Sequence, residues 1–163
     1  MLKLMIFFTY LGSWQVIAGL AIITIVVLGF LRKKREIIFF LSVLIGGELI
    51  KELLKLLFHR QRPDASFYLI SENGYSFPSG HALMSVIFYG MIAYFVYKLL
   101  QKRWQKIVLS FAFAALIALI GLSRIYLGVH WVSDVLGGWL IGVLIVVFSI
   151  LIFRKRFVTL NST

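Results

Sequence analysis

The sequence predicts an all-α protein, an integral-membrane helical bundle of about five transmembrane helices that forms one domain over residues 1–163. The first reason is composition: 61% of the residues are hydrophobic and only 14% are charged, whereas a soluble domain carries about a quarter charged residues. The second reason is that four strongly apolar segments are long enough for a spanning helix, which needs about 20 residues, and a fifth spans if its polar residues are tolerated. The connections between them are short, so no linker divides the chain into two domains.

The apolar segments follow one another along the whole chain. A short apolar stretch, Leu4–Leu11, comes first, and a position at the membrane interface is one option for it. The second spanning segment is unusual because it contains several charged residues. The five predicted spans are Ser13–Leu31, Ile37–Leu57, Ala82–Leu100, Ile107–Leu122 and Trp131–Phe153.

Basic residues cluster at alternate connections, and this pattern predicts the orientation in the membrane. With five spans, the three clusters fall on the same side, which the positive-inside bias makes cytoplasmic. Juxtamembrane clusters of this kind account for much of the net charge of +11 without a nucleic-acid partner. The clusters are Arg32, Lys33, Lys34 and Arg35, then Lys98, Lys102, Arg103 and Lys106, then Arg154, Lys155 and Arg156.

The two remaining connections, His59–Pro78 and Ser123–His130, are therefore predicted to face outward, with the N-terminus outside and the C-terminus inside. Most of the remaining polar residues lie in or beside these connections. Loops held by rigid helices commonly carry function, so we expect the chemistry of this protein at its outer face.

His130 and Asp134 stand four residues apart at the start of the fifth span. That spacing places both side chains on one face of a helix. A carboxylate there can accept the Nδ1–H of the imidazole, which leaves the Nε2 lone pair free for nucleophilic attack. A helix-capping histidine–aspartate pair without chemistry fits the same spacing equally well.

The run Pro78-Ser79-Gly80-His81 begins the third span. Proline and serine favour the start of a helix, and the free N–H groups at such a start attract phosphate. Gly80 permits close approach of the backbone, and His81 would be placed to protonate a leaving oxygen. The alternative is an ordinary capped helix start with an interfacial histidine.

Three cations are predicted at the same face: Lys55, Arg62 and Arg124. Together they suit the charge of a phosphate ester, and preorganised cations are most useful where charge spreads over the phosphoryl oxygens in the transition state. Contact with lipid headgroups is the alternative use of such residues. We prefer that interpretation for Arg60, and we interpret His59 as an interfacial residue.

The three blocks resemble the signature of the type 2 phosphatidic-acid phosphatase superfamily. That signature reads Lys, six residues, Arg-Pro; then Pro-Ser-Gly-His; then Ser-Arg, five residues, His, three residues, Asp; all of its fixed positions are present between Lys55 and Asp134. The resemblance implies that His130 attacks phosphorus with support from Asp134, that His81 is the general acid, and that neither a metal nor another cofactor is needed. The implied phosphate-binding residues are Lys55, Arg62, Ser79, Gly80, Ser123 and Arg124.

The resemblance also implies an architecture and a location. Bacterial membrane members usually have six spans, and the helix that precedes the segment matched by Thr9–Leu31 is expected to be missing here. The expected location is the bacterial inner (cytoplasmic) membrane, crossed several times, with the active site facing the periplasm or the outside.

The expected function is hydrolysis of a phosphomonoester or pyrophosphate on a lipid headgroup through a phosphohistidine intermediate. Candidate substrates are undecaprenyl pyrophosphate, phosphatidylglycerophosphate, phosphatidic acid and the 1-phosphate of lipid A. A lipid phosphotransferase, which passes the phosphate to another lipid, would use the same site. A non-catalytic lipid or anion transporter could use the cations alone, but the two histidines and the aspartate would then be idle.

Charged residues inside the second span need an explanation, because such residues are costly in lipid. The spacings Glu48–Lys51 and Glu52–Lys55 predict ion pairs along one side of the helix. We prefer the interpretation that these pairs neutralise one another below the active site. The alternative is that Glu48 or Glu52 tunes Lys55 or lines a polar cavity for the headgroup.

Overall fold

The structure is a computed structural model that describes the backbone of residues 1–160 and the side chains of residues 1–155. Every regular element in this part of the chain is helical, which confirms the predicted all-α class. Arg156, in the last basic cluster, lies outside the residues whose side chains are described. The helices are α1 (Leu2–Leu11), α2 (Trp14–Phe30), α3 (Lys34–Phe58), α4 (Gly80–Leu99), α5 (Arg103–Tyr126) and α6 (Val132–Leu160), with a 3₁₀ turn at Ala65–Phe67 between α3 and α4.

Three helices, α4, α5 and α6 as far as Lys155, are long and apolar enough to cross a membrane. The consecutive helices α1 and α2, bent by 46° at a short break, make a fourth span if the two are taken together. Helix α3 has 25 residues, about 38 Å at 1.5 Å per residue, but Glu48, Lys51 and Glu52 interrupt its apolar sequence. Five spans therefore require that α3 crosses the membrane with these charges turned inward.

The stretch Leu4–Leu11 lies within α1, which packs against α5 rather than apart from the bundle. The Tyr89 hydroxyl of α4 donates a hydrogen bond to the last carbonyl oxygen of α1 at 2.8 Å. A Cβ added to Gly12, at the bend between α1 and α2, would collide with Ile120 and His81. Glycine at this position therefore lets the bend approach α4 and α5 closely.

Helix α4 lies at the centre of the bundle, and α6 packs closely along it. Gly138 and Gly142 of α6 have the small-xxx-small spacing that permits such packing. A Cβ on Gly138 would lie 2.9 Å from the Ser79 carbonyl oxygen, and one on Gly142 would lie 2.8 Å from the Cβ of Val86. This glycine face is therefore used inside the chain. Buried apolar side chains complete the core, among them Phe40, Leu83, Ile87, Phe88, Met91 and Ile120.

Candidate active site

The two outer connections meet at one end of the bundle, and Arg62 links them. Its Nε donates to the Gly74 carbonyl oxygen and its Nη1 to the Val129 carbonyl oxygen, both at 2.9 Å. Gly128 lets the second connection lie against the first: its φ is +75°, and a Cβ there would strike the Phe67 carbonyl group. Only glycine adopts this left-handed conformation without a steric cost. The backbone is therefore fixed just before α6 begins.

His130 and Asp134 lie together at the start of α6, as their spacing predicts. His130 Nδ1 is 3.4 Å from Asp134 Oδ2, and both side chains are buried. The same carboxylate oxygen accepts the Trp131 backbone N–H at 2.8 Å. Because that contact satisfies one of the free N–H groups at the helix start, Asp134 is fixed by the helix as well as by the histidine.

Arg62 determines which imidazole nitrogen of His130 carries the proton. Its Nη1 lies 3.3 Å from His130 Nε2, and a guanidinium can only donate. Nε2 is therefore the acceptor, and the proton of the neutral ring sits on Nδ1, facing the carboxylate of Asp134. In this tautomer the lone pair lies on Nε2, the nitrogen that would attack phosphorus, and attack requires Arg62 Nη1 to turn from the ring to a phosphoryl oxygen.

The surroundings of His130 favour the neutral ring. Burial lowers the pKa of His130 below its ordinary value of 6.5, and the positive charges of Arg62 and Arg124 lower it further. The hydrogen bond and the negative charge of Asp134 act in the opposite direction but do not outweigh burial. A neutral ring at neutral pH is the form that a nucleophile requires.

Two further partners of Asp134 are not part of the sequence signature. The buried Ser76 hydroxyl donates to Asp134 Oδ2. Arg60 Nη1 donates to Asp134 Oδ1 at 2.8 Å and to the Ser133 hydroxyl at 2.7 Å. The interpretation of Arg60 as a residue for lipid contact is therefore wrong, because its charge is directed at the buried carboxylate. His59, by contrast, is exposed and ends α3.

Arg124 is 1% exposed and is held from two sides. Its Nη1 donates to Thr9 Oγ1 of α1 at 2.7 Å, and its Nη2 donates to Glu72 Oε2. Glu72 Oε1 lies 3.9 Å from Arg62 Nη2, so one carboxylate stands between two of the predicted phosphate-binding cations. Burial raises the pKa of Glu72, but Arg124 and Arg62 outweigh burial and hold the pKa below its ordinary value. An anionic group is thus accommodated between the two arginines.

A cavity of about 510 Å³ opens beside these residues. One end is polar, and the other is formed by apolar side chains of α2 and α3, a combination typical of a ligand site. The polar lining consists of Glu48, Lys51, Lys55, Arg62, Glu72, Gly80, His81 and His130, and the apolar lining includes Ile17, Ala18, Ala21, Leu41, Leu44, Ile45 and Met84.

The ion pairs of α3 differ in part from the prediction. Lys51 Nζ lies 2.6 Å from Glu48 Oε1, as predicted, but it also lies 2.9 Å from Glu52 Oε1. The predicted pair between Glu52 and Lys55 is therefore replaced by one between Glu52 and Lys51. Within the described side chains no carboxylate oxygen lies within 4.0 Å of Lys55, so this ammonium remains available to a ligand in the cavity.

Three of the implied phosphate-binding residues do not line this cavity. The Ser123 hydroxyl donates to the Ile120 carbonyl oxygen of its own helix at 2.6 Å. Ser79 is the N-cap residue of α4, but its hydroxyl makes no capping hydrogen bond and has no partner in the described part of the chain. Arg124 is absent from the cavity lining and instead donates a hydrogen bond to Glu72, which lines the cavity. The cavity itself is reached by Lys55, Arg62, Gly80, His81 and His130.

No metal-binding group of three or more His, Cys, Asp or Glu side chains occurs among the residues that the structure describes. The carboxylates nearest to His130 are each held by an arginine: Asp134 by Arg60, and Glu72 by Arg124. The charged residues that line the cavity are three cations, Lys51, Lys55 and Arg62, and two carboxylates, Glu48 and Glu72.

Comparison with known proteins gives one consistent result. The sequence model of the PAP2 superfamily matches residues 36–157. Phosphatidylglycerophosphatase B of Bacillus subtilis (strain 168) is 38% identical over 138 residues, which are 84% of this chain and 68% of the relative.

Solved structures agree with the sequence comparison. A transmembrane PAP2 type phosphatidylglycerolphosphate phosphatase from Bacillus subtilis superimposes with a TM-score of 0.87 at 34% identity, covering 94% of this chain and 77% of that one. LpxE of Aquifex aeolicus superimposes with a TM-score of 0.68 at 28% identity, covering 90% and 82%. The chain therefore belongs to the PAP2 superfamily, and it is a membrane lipid phosphatase.

Proposed function

We propose that this protein hydrolyses the phosphomonoester or pyrophosphate of a lipid headgroup at the extracytoplasmic face, through a phosphohistidine at His130. The observation that carries the proposal is the arrangement of the His130 ring. Its Nδ1 faces Asp134 at 3.4 Å and its Nε2 faces Arg62 at 3.3 Å. Asp134 thus orients the imidazole through Nδ1. Nε2 lies beside the cationic Arg62, where a phosphoryl group would bind.

The first half of the reaction forms a bond and breaks one. His130 Nε2 bonds to phosphorus, the P–O bond to the lipid breaks, and the leaving oxygen takes a proton from His81. Arg62 and Lys55 stabilise the charge that develops on the phosphoryl oxygens. Asp134 accepts the Nδ1–H of His130 and stabilises the positive charge that the ring acquires.

The second half restores the enzyme. His81, now neutral, takes a proton from a water molecule, whose oxygen attacks phosphorus as the bond to His130 Nε2 breaks. Inorganic phosphate leaves, and both histidines return to their starting protonation states. The phosphotransferase alternative replaces this water by a lipid hydroxyl group. Measuring free phosphate with and without an acceptor lipid distinguishes the two outcomes.

The cavity supports a lipid as the substrate. Its polar end contains the reacting groups, and its apolar end lies between α2 and α3, where an alkyl chain can be buried. Burial of apolar surface contributes roughly 25 cal/mol per Å², so a hydrocarbon tail adds affinity that a water-soluble phosphate ester lacks. We infer that the substrate arrives laterally from the bilayer.

The basic clusters support the orientation. They lie at the α2–α3 and α4–α5 connections and towards the end of α6. The active site lies instead at the α3–α4 and α5–α6 connections. Because basic residues favour the cytoplasmic side, the site is proposed to face the periplasm or the outside of a bacterial inner membrane.

Trapping the covalent intermediate tests the proposal. Purified protein in detergent is mixed with phosphate-labelled lipid in the presence of a chelator, quenched in alkali during turnover and digested. We expect label on the peptide containing His130 and phosphate release from at least one of phosphatidylglycerophosphate, undecaprenyl pyrophosphate, phosphatidic acid and lipid A 1-phosphate. Label on another residue, or release without labelled protein in a rapid quench, would contradict the phosphohistidine step.

The pH dependence of kcat/KM is expected to be bell-shaped, since His130 must be neutral and His81 must be protonated. Burial depresses the pKa of His130 below 6.5, so activity is lost on acidification only below that pH. Initial rates of phosphate release from pH 4 to pH 10 give both limbs. A rate that rises steadily with pH, or an acid midpoint clearly above 6.5, would be inconsistent with these roles.

A further inference from the structure

We propose that Arg60 and Ser76 are positioning residues that together hold the carboxylate of Asp134 from both sides. Through this carboxylate they set the orientation and the protonation state of His130, and neither residue lines the cavity. Neither occupies a fixed position of the family signature. The inference rests on the proposed function, because it assigns the two residues a part in the attack of His130 on phosphorus.

The two residues hold different oxygens of the carboxylate. Arg60 Nη1 donates to Asp134 Oδ1 at 2.8 Å, and the Ser76 hydroxyl donates to Oδ2. Oδ2 also accepts the Trp131 N–H and lies 3.4 Å from His130 Nδ1, whereas Oδ1 accepts from Arg60 alone within the part of the chain that the structure describes. The terminal torsion of an aspartate side chain is broad. A donor on each oxygen therefore fixes the plane of the carboxylate relative to the imidazole.

The backbone joins the two residues into one unit. The Ser76 N–H donates to the Arg60 carbonyl oxygen at 2.8 Å, across the α3–α4 connection. The Arg60 guanidinium lies over the Trp131 ring, 5.8 Å from its centroid, and Trp131 Nε1 donates to the Gln61 carbonyl oxygen at 3.1 Å. A guanidinium over an indole face is attracted by the ring electrons. The partly exposed Arg60 side chain is therefore held against Asp134 before a substrate binds.

Arg60 also limits the effect of Asp134 on the imidazole. The negative charge of Asp134 raises the pKa of His130, against the effect of burial and of two nearby arginines. Arg60 forms an ion pair with the same carboxylate at 2.8 Å. A positive charge there weakens the attraction of the carboxylate for a proton on the ring. Arg60 thus keeps the ring neutral, and ready for attack, at a lower pH than Asp134 alone would allow.

Several elements contribute charged or titratable groups around the His130–Asp134 pair. Arg60 is the cation in contact with the carboxylate, so its removal changes the partner of Asp134 and leaves the groups around the ring in place. The groups that face the pair are Arg60, Arg62 and Glu72 of the α3–α4 connection, His81 of α4 and Arg124 of α5.

The test follows the titration of His130 directly by NMR. The chain contains three histidines, so isotope labelling of the histidine nitrogens gives few signals, and that of His130 is the one missing from His130→Ala. Full-length wild type, Arg60→Gln and Ser76→Ala in detergent are titrated without substrate. We expect the midpoint of His130 to rise by about 0.5 to 1 pH unit in both variants, because each loses a group that stabilises the carboxylate and leaves its charge freer to attract a proton.

Phosphate release from the best lipid substrate gives the second readout. Arg60→Gln and Ser76→Ala should each lower kcat by about ten- to a hundredfold, the range for loss of a hydrogen bond to a charged group. The acid limb of kcat/KM should move to higher pH together with the NMR midpoint. Arg60→Lys keeps the charge, so it should return the midpoint to that of wild type and recover part of kcat. Where Arg60→Gln is too unstable to purify, Ser76→Ala, which removes one oxygen atom and no charge, decides by the same two readouts.

Arg103→Gln is the matched control, because it removes the same charge from an exposed residue at the other end of α5 from Arg124. Its midpoint and its kcat should equal those of wild type. An unmoved or lowered midpoint in Arg60→Gln and Ser76→Ala rejects the proposal whatever happens to kcat, since a merely structural role leaves the proton affinity of the ring unchanged.

The two readouts also separate this inference from the proposed function. A raised midpoint with kcat unchanged in both variants rejects the positioning role and leaves the phosphatase reaction intact. The titration needs no turnover. If wild type releases phosphate from no lipid, the proposed function falls, and the catalytic purpose of Arg60 and Ser76 falls with it.

Discussion

Replacing His130 with alanine is expected to lower phosphate release from the best lipid substrate by about 10⁴-fold or more, the order observed when a covalent nucleophile is removed from a cooperative catalytic group. The reason is that no other side chain in the described site presents an oriented nucleophilic nitrogen next to Arg62. His81 cannot substitute, because it is needed as the acid for the leaving oxygen. Initial rates of phosphate release, with enzyme concentrations scaled to the slower variant, measure the loss.

The variant should still fold and bind phosphate. Arg62 keeps its hydrogen bonds to the carbonyl oxygens of Gly74 and Val129 when the imidazole is removed. We therefore expect inorganic phosphate to protect His130→Ala and wild type from thermal unfolding to a similar extent. A loss of both turnover and phosphate binding would indicate instead that the imidazole holds the cations in place.

His59→Ala is the matched control, because His59 lies near the same face but is exposed. It meets the Tyr75 ring edge-on at 4.6 Å between centroids and ends α3 in a left-handed conformation. Turnover should stay within about twofold of wild type. The transporter alternative makes the opposite prediction for the first variant: His130→Ala would leave lipid or anion movement intact, and wild type would release no phosphate.

The part of the site that the sequence could predict is the part set by short spacings. Four residues on a helix place His130 and Asp134 together whatever the rest of the fold does. Composition and the long apolar segments likewise predict the helical bundle. The phosphate-binding role of Lys55, Arg62 and Arg124 could be predicted only from the family signature. Their charge and position alone also allow contact with lipid headgroups.

The rest depends on contacts between distant parts of the chain. Arg60 and Arg62 are two residues apart in the same loop, yet one reaches Asp134 and the other reaches His130. Nothing in their local sequence distinguishes these directions. In the sequence, Ser76 and Glu72 resemble any other loop residues. Only in the fold, where the two connections meet, do they contact Asp134 and Arg124. A buried carboxylate normally needs such partners, and that requirement could have indicated that Asp134 had more than one.

The contribution of α1 could not be read from its sequence either. Leu4–Leu11 is apolar enough for an interfacial helix, and its one useful polar side chain, Thr9, is unremarkable on its own. In the fold, Thr9 is buried and accepts a hydrogen bond from Arg124, which lies 115 residues away along the chain. The short helix therefore helps to position a signature residue in addition to packing on α5.

Replacing Asp134 with asparagine should produce the second large effect, a fall in kcat of about 10³- to 10⁴-fold, the scale seen when the carboxylate that orients a catalytic histidine is replaced by an amide. Both oxygens of Asp134 face donors: Oδ1 meets Arg60, and Oδ2 meets Ser76 and the Trp131 N–H. An amide NH₂ group would oppose a donor in either orientation. The Nδ1–H of His130 would also lose its charged acceptor, so the proton could move to Nε2 and block attack on phosphorus.

The pH profile separates this positioning role from a loss of folding. Asp134 raises the pKa of His130 against the effect of burial. Removing its charge should therefore lower that pKa further and move the acid limb of kcat/KM to lower pH. A role confined to folding would reduce stability and yield but leave the limb where it was.

Ser133→Ala is the matched control, because it removes the other partner of Arg60 at 2.7 Å while the carboxylate stays. Its acid limb should coincide with that of wild type. If Asp134→Asn also shows an unmoved limb and a rate near wild type, the carboxylate only caps α6, and the imidazole must be oriented by other groups.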